Sequence, residues 1–196
     1  MSNPYDDDVS VFCVTIVRSL VAWNQAEEMA RRILLGLSGG GIGAQAAIVH
    51  LGNIPLQNAL QTAIASIHET VPLAAEKRDH IGHFVKGLDA LRPYRNFYIH
   101  SLRAFGKIPG EIPMFGGLLM DTEAKGRLAH VSQSVTQADL NAWLSASTNL
   151  SRYANVIAAH IDGAAVLANL NASPLASLEK PVWPPVLAKT RTYLGE

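Results

Sequence analysis

An apolar stripe near the start of the chain constrains its folding more than any other feature. Phe12, Ile16, Leu20, Trp23, Ala30, Leu34 and Leu37 recur in steps of three, four and seven. That spacing predicts one face of a long amphipathic helix over residues 9–37. Asp6, Asp7 and Asp8 suit the positive end of its dipole, and Arg31 and Arg32 the negative end. Ser38-Gly39-Gly40-Gly41 stops it, because glycine supplies a left-handed cap. A helix with one apolar stripe must bury it against other elements.

Those elements follow along the chain. An Ala-rich segment spans Ile42–Leu51, and Asn53-Ile54-Pro55 opens a second helix to about His68. A third helix begins after Pro72, with Leu73, Ile81, Phe84, Leu88 and Leu91 at helical spacing. Gly82 and Gly87 weaken it, and Pro93 is expected to kink or interrupt it at Arg92, with helix resuming over residues 94–104. Four glycines and two prolines make Gly106–Gly117 a loop. Leu118–Thr122 and Arg127–Ser132 read as two short strands around the turn Glu123-Ala124-Lys125-Gly126. Thr136-Gln137-Ala138-Asp139 is a capping pattern. It opens a last long helix carrying Leu140, Trp143, Leu150, Ile157, Ile161, Ala164 and Leu167. The expected fold is all-α: an up-and-down bundle of four main helices over residues 1–170, with a β-hairpin near 118–132 before the last helix. A Pro-rich C-terminal tail, with Pro174, Pro181, Pro184 and Pro185, occupies 171–196.

Composition excludes several classes. The 196 residues are 48% hydrophobic and 16% charged with zero formal net charge, which excludes an intrinsically disordered chain. Balanced charge also argues against coating DNA non-specifically, which needs a basic surplus. The lone Cys13 excludes an internal disulfide and a multi-cysteine zinc site. The acidic N-terminus is unlike an export signal, and Arg18 ends the apolar run Val9–Val17 early. A cytoplasmic protein with no membrane partner is therefore expected. The zero net charge is a cancellation. Between positions 77 and 107 seven cations meet only Asp79 and Asp89, a net of +5, and the rest of the chain carries −5. Tyr94, Phe97, Tyr98 and Phe105 interleave with these cations, a mixture suited to single-stranded RNA. Phe97 and one of the tyrosines suit the core equally well.

Other strings carry less. Gly41-x-Gly43-x-x-Ala46 follows a helix rather than a strand, and Gln61 stands where a dinucleotide fold needs an acid, so it reads as a helix connection. Glu76, Asp79, His80 and His83 fall at i, i+3, i+4 and i+7 on one helix face. That spacing fits a metal or a face of ion pairs such as Glu76 with His80, and without a second ligand cluster no metal or cofactor is expected. Pro181-Val182-Trp183-Pro184 fits a polyproline ligand or, preferably, a tail that folds back and buries Trp183.

The segment Arg92–Ser101 is more specific, because it contains Arg95-Asn96-x3-His100. A bare Arg…His pair four to six residues apart is expected about once by chance, and Arg78–His83 also supplies it. With ten Arg, ten Asn and seven His, Arg-Asn-x3-His is expected only about 0.02 times. On these residues the chain resembles the HEPN superfamily, which is marked by an Arg, often a polar residue after it, and a His. Trp23-x3-Glu27 is similar to a first-helix pattern of such proteins, and a hairpin before a capped last helix resembles some bacterial members. The resemblance covers roughly residues 9–170.

This resemblance implies a metal-independent endoribonuclease of toxin or defence type, or else a non-catalytic RNA-binding or protein-interaction module. In the catalytic form the ribose 2′-OH attacks its own phosphate and leaves a cyclic phosphate end. Arg95 would hold the phosphate through its planar fork, and His100, whose ordinary pKa is near neutrality, would move protons. Asn96, at i,i+4 to His100, would orient the imidazole. Glu27 is a candidate partner for Arg95, Tyr98 a supporting residue, and Arg92, Arg103 and Lys107 candidate RNA contacts. On an ideal helix positions 95 and 100 stand about 140° apart in rotation and about 7.5 Å apart in rise, too divergent for one small ligand. Two copies about a two-fold axis would supply a composite groove, so the implied partners are RNA, a second copy of the chain and an antitoxin protein.

Overall fold

The structure, a computed structural model, describes residues 4–37, 75–100, 102–106, 114–122, 128–161, 175–185 and 190–193. At residues 4–8, 76, 100 and 176, and in the strands other than Val135 and Thr136, the description is of the backbone. The described protein is mostly helical, with α1 (Pro4–Leu37), α2 (Ala75–His100) and α3 (Gln137–Ile161). Four strands accompany them: β1 (Leu102–Gly106), β2 (Met114–Thr122), β3 (Leu128–Thr136) and β4 (Thr190–Tyr193). They form one antiparallel sheet in the order β1-β2-β3-β4. A 3-10 turn lies at Leu175–Ser177.

Several sequence expectations are corrected. Helix does not resume to residue 104: α2 ends at His100, and Leu102–Gly106 forms β1. Met114–Gly117 belong to β2 rather than to a loop. Gly116 and Gly117 are glycines in a strand paired on both sides, opposite Ala104 and Arg103 in β1 and Ser134 and Gln133 in β3. Ladder bonds to two neighbours outweigh the loop tendency of these residues. The tail is not wholly extended coil, since Thr190–Tyr193 pairs with Ala129–Ser132. The Ala-rich segment, the second helix and the turn at 123–126 lie outside the described residues.

Val9–Leu37 also meets the length and composition of a membrane-crossing helix despite Arg18, with a mean hydropathy of 1.3 over an 18-residue window. Of that window, 39% is buried in the protein. Buried core helices of other proteins share these properties.

The chain divides into two compact units. The first comprises Met1–Leu20, Ala90–Ala146 and Pro184–Glu196. Its core holds Phe12, Ile16, Leu91, Phe97, Tyr98, Val135, Leu140 and Trp143. The ring of Tyr98 lies 4.7 Å from that of Trp143 and meets Phe97 nearly edge-on at 5.7 Å. Thr15, buried on α1, satisfies its hydroxyl by donating to the Val11 carbonyl (2.8 Å) and accepting from Gln137 Nε2 (3.0 Å). The start of α3 is capped reciprocally. Thr136 gives its backbone N–H (2.8 Å) and hydroxyl (2.7 Å) to Asp139 Oδ2, and Asp139 returns its N–H to Thr136 Oγ1 (3.2 Å).

The second unit comprises Val21–Asp89 and Ser147–Trp183. Its core draws Trp23, Ala26, Ala30, Ile33 and Leu34 from α1, Ile81, Phe84, Val85 and Leu88 from α2, and Leu150, Tyr153, Ala154, Ile157 and Ala158 from α3. The predicted stripe of α1 is thus largely the buried one, with Leu20 and Leu37 half-buried. A second apolar ridge on α1, Val11, Val14, Val17 and Val21, stays exposed.

Candidate functional site

The Arg-Asn-x3-His segment sits in the last turns of α2. Pro93 lies inside this helix, yet the helix continues to His100. An interior proline loses the bond to the carbonyl four residues back, here Asp89, and costs about 3 kcal/mol. Leu91, Phe97 and Tyr98, flanking Pro93 in the same unit, are all fully buried. At about 1.5–3 kcal/mol for each buried apolar side chain, they outweigh the proline. The expected interruption at Arg92 is therefore absent: burial on both sides holds the segment helical.

With Phe97 and Tyr98 turned into the core, positions 96 and 99 fall opposite them on an ideal helix, and positions 95 and 100 lie on its two flanks. Arg95 and Asn96 are half-buried, and Arg95 Nη1 donates to Asn96 Oδ1 at 3.1 Å. The acceptor in this bond is a neutral amide oxygen. Asn96 was expected to serve His100; the bond found for its oxygen is to Arg95. The side chain of His100 lies outside the described residues. Glu27, the candidate partner of Arg95, is half-buried on α1 in the second unit, whereas Arg95 belongs to the first. Tyr98 is a fully buried core residue set between Tyr94, Phe97 and Trp143.

Among the candidate RNA contacts, Arg92 is half-buried on α2, and Arg103 lies on β1 opposite Gly117. Lys107 is outside the described residues. Tyr94, one position before Arg95, donates its hydroxyl to the Pro185 carbonyl at 2.7 Å. Burial first, and the Asp139 carboxylate second, raise its phenol above the ordinary value.

The acid and histidine face of α2, in the second unit, holds the chain's own tail. Asp79 pairs with Lys180. His80 Nδ1 lies 2.7 Å from the Tyr153 hydroxyl, and His83 Nε2 lies 2.8 Å from the Pro181 carbonyl. The Lys180 hydrogen bond is the largest influence holding Asp79 below its ordinary value. Burial, aided by Asp79, holds the Tyr153 phenol well above the tyrosine range. No group of three or more His, Cys, Asp or Glu among the described residues is arranged to hold a metal ion. The sequence reading missed Tyr153 and Lys180 altogether, because their partners lie 73 and 101 residues away.

No family model, curated protein or solved structure matches the chain.

Proposed function

We propose that this chain is a HEPN-like, metal-independent endoribonuclease of toxin or defence type, built on a four-helix bundle with an inserted hairpin. The observation that carries this reading is the Arg95–Asn96 bond on a helix that runs through Pro93 to His100. In Asn96 Oδ1 the Arg95 guanidinium has a neutral acceptor, and the segment lies within the stretch 77–107, whose net charge of +5 suits a phosphate backbone. In the proposed reaction the ribose 2′-OH loses its proton to a general base and bonds to the adjacent phosphorus. The P–O5′ bond then breaks, and the departing 5′ oxygen takes up a proton. Arg95 opposes the negative charge that builds on the phosphate, and His100 carries out one of the proton transfers. A second copy of the chain supplies the other Arg and His. A cytoplasmic setting and a restraining antitoxin protein belong to the same proposal.

The test is incubation of the purified protein with labelled single-stranded RNAs in chelator, beside Arg95→Ala and His100→Ala. Cleavage by the wild type to cyclic phosphate ends, lost in both variants, supports the reading. Binding without cleavage points to a non-catalytic RNA-binding module, and equal cleavage by the variants overturns the residue roles. A monomeric mass by light scattering overturns the composite site.

A further inference from the structure

The segment from Lys180 to Trp183 lies along one stripe of α2. Asp79, His83 and Gly87, at i, i+4 and i+8, meet it in order. Lys180 pairs with Asp79, and the Pro181 carbonyl accepts from His83 Nε2 at 2.8 Å. Trp183 stacks on the His83 ring (centroids 5.1 Å apart, planes at 26°) and donates its indole N–H to the His83 carbonyl at 3.2 Å. Tyr153 of α3 closes on both rings edge-on. The indole then covers Gly87 so closely that a Cβ there would lie 2.7 Å from Trp183 Cζ2 and 2.7 Å from Leu150 Cδ1. Glycine here is a slot, the absence of a side chain making room for the ring.

Two further observations define how this contact behaves. The covered stretch of α2 contains Gly82 and Gly87, both poor helix formers, so it depends on outside support. The segment itself is held lightly. From Leu175 to Trp183 its one backbone–backbone bond among the described residues is Leu178 N–H to the Leu175 carbonyl. Val182 is 92% exposed, and a cleft of about 420 Å³ lies between the segment and Asn149, Arg152, Tyr153 and Val156 of α3. Few backbone bonds and open surroundings, with the ties to α2 made by the side chains of Lys180 and Trp183 and one carbonyl, are marks of an element that opens locally, below the cost of global unfolding.

We propose that Lys180–Trp183 is a releasable strap, pinned by Trp183 in the Gly87 slot, that holds the Asp79–Ala90 turns of α2 in helical form. Its opening uncovers an indole-sized slot walled by His83, Leu150 and Tyr153 and loosens those turns, while α1 stays folded. The strap does not depend on the ribonuclease reading, and its test does not use RNA.

The test compares the full chain with Trp183→Ala, Gly87→Ala and Lys180→Ala by amide hydrogen exchange and by the indole N–H resonances of the three tryptophans. In Trp183→Ala the amides of 80–90 exchange about tenfold or more faster, while those of α1 keep wild-type rates. Gly87→Ala improves helix propensity yet ejects the ring, so the Trp183 indole N–H moves to a solvent-exposed position and exchanges freely. Lys180→Ala, which removes only an exposed pair, gives a smaller change in both readouts. Wild-type exchange over 80–90 in Trp183→Ala, or an unmoved Trp183 indole in Gly87→Ala, overturns the strap. Acceleration that spreads equally to α1 in Trp183→Ala and Lys180→Ala also overturns it, because the segment would then be an integral part of the core.

Discussion

Arg95 and Asn96, adjacent in sequence, are joined through their own side chains, Nη1 to Oδ1 at 3.1 Å. Replacing the neutral acceptor by a carboxylate, Asn96→Asp, turns the same contact into an ion pair that cancels the guanidinium. Under the proposed RNA function, affinity for single-stranded RNA falls, and the slope of log affinity against log salt becomes shallower by about 0.7. Anisotropy titrations at several salt concentrations read this directly. An unchanged slope removes Arg95 from the phosphate contacts.

Pro93 is the second point of leverage. Pro93→Ala restores a backbone N–H facing the Asp89 carbonyl and removes the ring that crowds it. Stability rises by about 1–3 kcal/mol, or about 2–10 °C in Tm. Urea and thermal unfolding check the direction. A loss of stability would mean that the chain around Pro93 is fitted to a bend that alanine does not keep.

The cap of α3 is reciprocal, so its two residues are coupled. Thr136→Ala and Asp139→Ala each lower stability by about 1 kcal/mol, and the double variant loses less than the sum. Denaturant unfolding of the three variants gives the coupling energy, and strict additivity would contradict the shared bonds.

That cap was legible in the sequence because all of its chemistry lies within four residues. The stripe of α1 was legible for a similar reason, as its period is fixed by helix geometry alone. The path of α2 through Pro93 was not, because it depends on Leu91, Phe97 and Tyr98 finding a core that the sequence does not display. β4 was invisible for the same reason, a strand by virtue of partners remote in the chain; β1 pairs with the nearby β2, and its residues were read as the end of a helix. At the candidate site the pairing of adjacent charge and amide was within reach. For Asn96 the i,i+4 spacing points to His100, and the bond within the adjacent Arg95–Asn96 pair is one that such spacing does not display. Trp183 was read as folding back, and its seat was missed because Gly87 appeared only as a weakness of the helix.

Asp79 gives the strap a pH dependence of known sign. Its folded-state pKa is lowered, chiefly by the Lys180 hydrogen bond. The stabilisation is fully present above the ordinary carboxylate value of 3.8 and is lost as pH falls through the lower folded value. The Trp183 indole resonance, followed downward from pH 5, shifts toward its exposed position only below about 3.8. Asp79→Asn lacks this step. A step of equal size in Asp79→Asn assigns the titration to another group.

The sheet carries a liability at its outer edge. Ala129–Ser132 of β3 meet Arg191, Thr192 and the ends of β4, strand residues contributed from beyond α3. Until that short strand is in place, the ladder groups of β3 remain an open template for any extended chain nearby. Closing this edge is a distant pairing, slow compared with the local turns of the helices. A proteolytic cut just before Thr190 would carry β4 away with the residues after it and reopen that edge of β3 to strands from neighbouring molecules.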